Sequence, residues 1–262
     1  MPRYSLSIPL LLRIAVSALL NKPRSFQRDA LNLIDRLQPP LQVYGREHIP
    51  DNKDFILTIN HYTRPGFGAW WLALAVSAVM EHEIHWMMTG AWTFPDKWYA
   101  ALLQPLSQRL FSRLAEIYGF TTTPPMPPNP SEVQSRSESV RRVMKAARQS
   151  TKPVIGLSPE GRDFPGGVLG QPPNGVGRFI YQLHKPHYAI LPVGVYEEDG
   201  ALCVHFGKPY RLGDPHSHAT GEIDPITFRL ITQRQIDLLL SRTVMRHIAV
   251  LLPKRLHGAF DL

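Results

Sequence analysis

Phe55-Ile56-Leu57-Thr58-Ile59-Asn60-His61-Tyr62-Thr63-Arg64-Pro65-Gly66 is an apolar run that turns abruptly polar. About a hundred residues later, Val154-Ile155-Gly156-Leu157-Ser158-Pro159-Glu160-Gly161-Arg162-Asp163 repeats the design. A short continuous apolar run bounded by turn residues is the pattern of a strand buried on both faces. Each run then delivers titratable side chains just where strand should give way to loop. In open α/β sheets, that carboxyl edge is where ligands bind.

Working outward, further strands are expected at Leu41–Tyr44, Ile84–Met88, Ile117–Thr121, Ala189–Val195 and Leu202–Phe206, beside Phe55–Asn60 and Val154–Ser158. Helical patterns fall between them, at Ala69–Met80, Trp98–Leu114, Ser131–Gln149 and Val176–His184. Alternation of this kind predicts an α/β fold: a mostly parallel mixed sheet of about seven strands flanked by helices. A last helix is expected from Thr232, whose hydroxyl forms a capping box with Gln235, towards Leu252, stopping at Pro253. Thr121–Pro130 (TTTPPMPPNP) reads as a stiff proline-rich loop, either a surface connection or a lid.

Composition bounds the function. With 262 residues, 44% apolar and 19% charged, the chain is neither disordered nor collagen-like. A single cysteine, Cys203, excludes an internal disulfide framework and a cysteine-rich zinc site, and fits a reducing compartment. The formal charge of +8 favours an anionic partner: nucleic acid, a phospholipid surface or a phosphorylated small molecule. Residues 133–148 carry Arg136, Arg141, Arg142, Lys145 and Arg148 around an apolar face, although most basic helix faces are merely solvated.

Leu6–Leu20 is an apolar run of 15 broken by Pro9 and Arg13. A spanning helix needs about 20 apolar residues, and a central arginine costs roughly 2.5–3.5 kcal/mol on insertion scales. Arg13 also interrupts what would be the apolar heart of a secretory signal. The run is therefore read as an amphipathic helix lying in the membrane interface, with Arg3, Arg13, Lys22, Arg24 and Arg28 near the headgroups. The rival is a helix packed on the chain's own core. Residues 1–40 are assigned to this helical membrane-associating segment and 41–262 to the α/β domain.

His61 is the candidate base, because imidazole titrates near physiological pH and can take a proton from a substrate hydroxyl. Arg162 and the glycine-rich loop after it could hold a phosphate, and Glu160 could orient Arg162, a polyol hydroxyl or the histidine. Taken singly, His61 could be no more than a strand-end cap, and Glu160 with Arg162 a surface ion pair.

Together, Asn60-His61 and Ser158-Pro159-Glu160-Gly161-Arg162 resemble motifs of the glycerolipid acyltransferase family, that of the lysophosphatidic acid (1-acylglycerol-3-phosphate) acyltransferases. Val43–Pro50 resembles the lead into the family's first motif, and Asn174–Phe179 its glycine-bearing helix start. Ile190–Val195 is similar to its fourth motif, with Phe206–Pro209 after it, so residues 41–212 are covered in order. The resemblance implies that His61 deprotonates a glycerol hydroxyl, which attacks an acyl thioester on coenzyme A or acyl carrier protein. It implies no covalent intermediate, no cofactor and no metal. Glu160 and Gly161 match the motif that binds the glycerol-phosphate acceptor, Arg162 is the nearest candidate for its phosphate contact, and Asn60 is assigned to substrate binding beside them. The implied location is peripheral or monotopic, at the cytoplasmic face of a membrane.

Two positions depart from the family pattern. The first motif carries an aspartate five positions after its histidine, where this chain has Gly66. In a serine protease, losing the acid behind the histidine can cost about 10⁴ in rate. The later motif's arginine stands three positions after the glutamate, where this chain has Asp163. A second reading follows, in which the acyltransferase fold binds lipid or acyl chains without turnover. Weaker rivals are a serine hydrolase built on Gly156-Leu157-Ser158, a zinc site at His82-Glu83-Ile84-His85 whose histidine spacing is three rather than four, and nucleic-acid binding with charge alone in its favour.

Overall fold

The computed structural model describes residues 4–51, 55–93, 98–126, 129–148, 154–184, 188–214 and 233–261. Seven strands form one sheet: β1 (Gln42–Tyr44), β2 (Phe55–Ile59), β3 (Ile84–Thr89), β4 (Thr121–Thr123), β5 (Val154–Leu157), β6 (Ala189–Glu198) and β7 (Ala201–Phe206). Their order is β1-β7-β6-β2-β5-β3-β4. Every neighbouring pair is parallel except β6 with β7. That pair is a hairpin turned by Asp199-Gly200, both with positive φ, as a two-residue turn matched to strand twist demands. The mostly parallel α/β sheet expected from the alternation is the sheet observed.

Around it lie α1 (Ile8–Leu19), α2 (Phe26–Ile34), α3 (Trp70–Val79), α4 (Ala100–Tyr118), α5 (Val133–Ala147), α6 (Val176–His184) and α7 (Gln233–Ala249). α2 packs on α3, α6 on α7 and α1 on α4. Phe55, Ile56 and Leu57 of β2 and Val154 and Ile155 of β5 are wholly buried, as strands covered on both faces must be.

The central register builds the site. Leu57 pairs with Gly156 in parallel, so His61 and Glu160, each four residues further on, leave the sheet side by side. Gly156 itself is required by packing. A β-carbon there would lie 2.6 Å from Ile84 Cγ2 and from the Trp86 ring, and that indole is fixed by donating to Ser77 Oγ at 3.0 Å.

Some boundaries differ from expectation. The strand expected at Ile117–Thr121 lies instead at Thr121–Thr123, because α4 continues through Tyr118 and ends at Gly119, with Phe120 N–H donating back to the Ala115 carbonyl at 2.8 Å. Ile117 and Tyr118 have strand-like side chains, but they belong to a helical turn. β4 is a three-residue edge strand, which tolerates the prolines that follow. α7 ends at Ala249, short of Leu252; Thr232, Gln149 and Arg3 lie outside the described residues.

Ahead of the sheet, Leu10, Ala30, Leu33, Ile34 and Leu37 join the same core as the strands. Ser25 caps α2 by accepting from Arg28 N–H at 3.1 Å. Asp29, buried, accepts from Arg24 at 2.6 and 2.8 Å and from the Tyr118 hydroxyl at 2.7 Å. Arg24 is thereby committed to an internal ion pair and is not free for headgroups. α1 buries Leu10 but exposes Ile8, Leu12, Val16 and Leu19. Among the described residues, no helix is long and apolar enough to cross a membrane.

Gly156→Ala forces a methyl into the Ile84–Trp86 contact, and overpacking of this kind costs about 1–3 kcal/mol. A thermal melt is expected to move down by several degrees with the far-ultraviolet spectrum preserved; an unchanged midpoint would show that the strand contact is not tight.

Candidate active site

Two loops make the site, one leaving β2 and the other leaving β5. Glu160 joins them. Its Oε2 accepts the backbone N–H of His61 at 2.7 Å and its Oε1 the backbone N–H of Gly170 at 2.8 Å. The residue has no solvent exposure. Burial pushes its carboxyl up to about 7, against the pull of the Gly170 and His61 amides, and the neighbouring Asp163 adds to the rise. The second loop then folds back, so that Gly167 packs against Tyr62 and Thr63 of the first.

Asn60 is also fully buried, and its amide completes the edge of the sheet: Nδ2 donates to the Val195 carbonyl at 2.9 Å while Oδ1 accepts from Val195 N–H at 2.7 Å. Beyond His61 the chain makes a tight turn over Arg64-Pro65-Gly66-Phe67, with Phe67 N–H donating to the Arg64 carbonyl at 3.0 Å and Gly66 at φ 78°. Proline at the second position and glycine at the third is the signature of a type II turn. α3 starts only at Trp70.

A second clasp holds this turn from the far side. Glu197, at the end of β6, receives Arg64 Nε on Oε2 and Arg64 Nη2 on Oε1 at 2.7 Å. It also accepts from the hydroxyls of Tyr4 (2.7 Å) and Tyr62 (3.0 Å). Burial alone would raise the Glu197 carboxyl; the hydrogen bonds from Arg64, Tyr4 and Tyr62 outweigh it and leave the group below the usual carboxylate range. Burial together with that carboxylate pushes the Tyr62 phenol up to about 12. Tyr4 also sets its ring against Phe67 and Trp71, so the residue just ahead of α1 is part of the scaffold under the turn.

Within this frame the His61 side chain is 24% exposed. Its Nδ1 is buried and lies 2.8 Å from Asp163 Oδ1. The approach is off the axis a linear hydrogen bond needs, so the contact is electrostatic and close rather than fully aligned. The exposed part of the side chain therefore lies away from Nδ1. Arg162 is exposed, its guanidinium 4.7 Å over the Phe164 ring. Gly161 faces Met126 of the proline-rich segment, which therefore reaches the rim of the site.

His61, Glu160, Gly161 and Asp163 thus come together in space, whereas Asn60 acts on the sheet edge and Arg162 stands apart on Phe164. Asp163, Arg64, Glu197, Tyr4 and Tyr62 were not among the sequence candidates. Only Asp163 carried a signal, as an acid in the wrong place within a motif. Ser158 Oγ is buried without a hydrogen-bond partner among the described residues.

No protein-family model matches the chain, and no curated protein sequence matches it. Among solved structures, the 1-acyl-sn-glycerophosphate (LPA) acyltransferase PlsC from Thermotoga maritima is similar at 11% identity and a TM-score of 0.44. The alignment covers 90% of this chain and 85% of that one. A likeness at that level says nothing about chemistry.

Glu160→Gln sets an amide NH₂ against one of the two backbone N–H groups, leaving a buried donor unmet at a cost of about 1–3 kcal/mol. The sign of its pH dependence follows from the raised carboxyl. Between about 4.5 and 7 the native state holds a proton the unfolded chain has released, so this group's contribution is full below that window and lost as pH rises through it. The stability gap between wild type and Glu160→Gln, measured by denaturant unfolding, is expected to be wider at pH 5 than at pH 8; a constant gap would contradict the raised carboxyl.

Proposed function

We propose that the protein is an acyltransferase that moves a fatty acyl chain from a thioester, on coenzyme A or acyl carrier protein, to a hydroxyl of a glycerolipid-type acceptor such as lysophosphatidic acid. The observation that carries this reading is one imidazole at the carboxyl edge of a parallel sheet, its Nδ1 buried beside a carboxylate and its remaining face open. Such a ring accepts a proton at Nε2. The substrate hydroxyl gives its proton there as its oxygen attacks the thioester carbonyl carbon; the new C–O bond forms, the C–S bond breaks, and the proton passes to the departing thiolate. Ester and free thiol are the products, and no group on the protein is acylated.

Arg162 and Gly161 are assigned to the acceptor headgroup, where a guanidinium on an exposed loop can meet a phosphate. Glu160 and Asn60 serve the site by fixing the backbone on either side of His61, since both side chains are fully buried and committed to main-chain groups. The exposed leucines of α1, with Arg13 and Lys22 nearby, favour a peripheral site of work at the cytoplasmic face of a membrane.

A second reading, lipid binding without turnover, draws on Gly66, where the resemblance calls for an acid. The two separate on one measurement. Long-chain acyl-CoA with lysophosphatidic acid is expected to release free thiol, followed with a thiol reagent, and His61→Ala to reduce the rate by about 10²–10⁴. Acyl-chain binding without thiol release, unaffected by His61→Ala, would establish the second reading instead.

Membrane attachment has its own test. Truncation is unsuitable because Tyr4 braces the catalytic turn, so the exposed face is altered in place. Leu12→Glu with Leu19→Glu is expected to abolish sedimentation with anionic phospholipid vesicles while leaving the melting temperature unchanged. Equal sedimentation of variant and wild type would remove α1 from the interface.

A further inference from the structure

We infer that Asp163 is the positioning acid for His61, supplied by the second loop in place of the acid the first loop lacks. The inference rests on the acyltransfer reading for its kinetic consequence, but the pairing itself does not. Three observations converge on it. Asp163 Oδ1 lies 2.8 Å from His61 Nδ1, the ring nitrogen that is hidden from solvent. A buried ring nitrogen beside a carboxylate oxygen is met as an N–H, because a lone pair there would face a like partial charge. That tautomer leaves the Nε2 lone pair to the exposed side, where a substrate hydroxyl would arrive.

The second observation is the backbone at position 66. Gly66 sits at φ 78°, a conformation that strains L side chains, in a turn led by Pro65. A β-carbon there would have as its neighbour within 4 Å only Arg64 Nη1, at 3.8 Å. That contact is an ordinary van der Waals distance, so the obstacle to a side chain at 66 is the backbone conformation and not lack of space. The first loop therefore offers no side chain at the position where the resemblance calls for an acid.

The third is the rigidity between the two loops. The Glu160 carboxylate ties the His61 amide to the loop that carries Asp163, three residues further on. Among the described residues, two acidic side chains of the second loop touch His61: Glu160 at its backbone and Asp163 at its ring. Arg64, the cation on its own loop, is turned to Glu197. The off-axis approach of Asp163 fits a site without substrate, since catalytic hydrogen bonds often tighten only in the bound complex. Asp163 is 59% exposed, so its removal leaves the core untouched.

The test uses the full-length protein with Asp163→Ala and Asp163→Glu. Long-range ¹H–¹⁵N spectra of its histidine rings, with His61 assigned by comparison to His61→Ala, report the tautomer directly. Wild type is expected to hold neutral His61 with the proton on Nδ1, and Asp163→Ala to shift it to the Nε2–H form favoured by free imidazole, with the melting temperature unchanged. In the thiol-release assay, Asp163→Ala is expected to lower kcat by 10- to 10³-fold with KM for the acyl donor within about twofold, and Asp163→Glu to restore part of the loss. An unchanged tautomer in Asp163→Ala overturns the inference. So does unchanged kcat in an active enzyme. A tautomer shift in a protein that releases no thiol would uphold the pairing and refute the acyltransfer reading.

Discussion

A carboxylate with no solvent contact, accepting one backbone N–H from each of two loops, is the constraint on which the site depends. Glu160 has no exposed surface to offer a ligand. What it does is fix a distance: the strand leaving β2 and the loop leaving β5 are adjacent in the sheet, yet nothing in sheet pairing extends beyond Leu157 to hold them together. Two amide donors on one carboxylate supply that hold. Burial, which favours the neutral acid, outweighs the amides, which favour the anion, and holds this carboxyl above the usual glutamate range. The imidazole is then placed by its own main chain, and its side chain remains available for chemistry.

Glu197 performs the complementary task. Four donors converge on it from Arg64, Tyr62 and Tyr4, which couples the far side of the histidine turn both to the end of β6 and to the chain ahead of α1. The ordering cost of two aromatic hydroxyls and a guanidinium is offset because each hydrogen bond to a charged group is stronger than a neutral one. The amino-terminal segment is thereby part of the scaffold of the site: Leu10 of α1 lies in the same core as the strands, and Tyr4 ahead of it packs against that core.

Much of the frame was legible in the order of residues, and the reasons differ from element to element. β2 and β5 announce themselves because a strand buried on both faces must be continuously apolar, and a polar break then marks its end. His61 and Glu160 were legible as the first titratable groups past those breaks. Glu197 was not, because a glutamate near the end of a hairpin strand looks like any solvated edge residue until its donors, 133 to 193 residues away in sequence, are brought to it. β4 was misplaced for a related reason: Ile117-Tyr118 carries strand propensity, and only the helix cap at Gly119 tells where α4 ends. Asp163 was visible solely as an anomaly, since its partner is fixed by the pairing of two strands.

The relocation of the acid has a consequence for what the second loop can bind. If a carboxylate must sit beside the imidazole, and Gly66 in the first loop has no side chain to supply it, then a position in the second loop has to carry it. That position, 163, is where the resemblance places the arginine of a phosphate site. One residue cannot serve both needs, because a carboxylate repels the phosphate that an arginine would attract. The nearest cation stands one residue earlier, at Arg162, whose guanidinium lies over the Phe164 ring. The two departures from the family pattern, at Gly66 and at Asp163, are on this view a single exchange seen at its two ends.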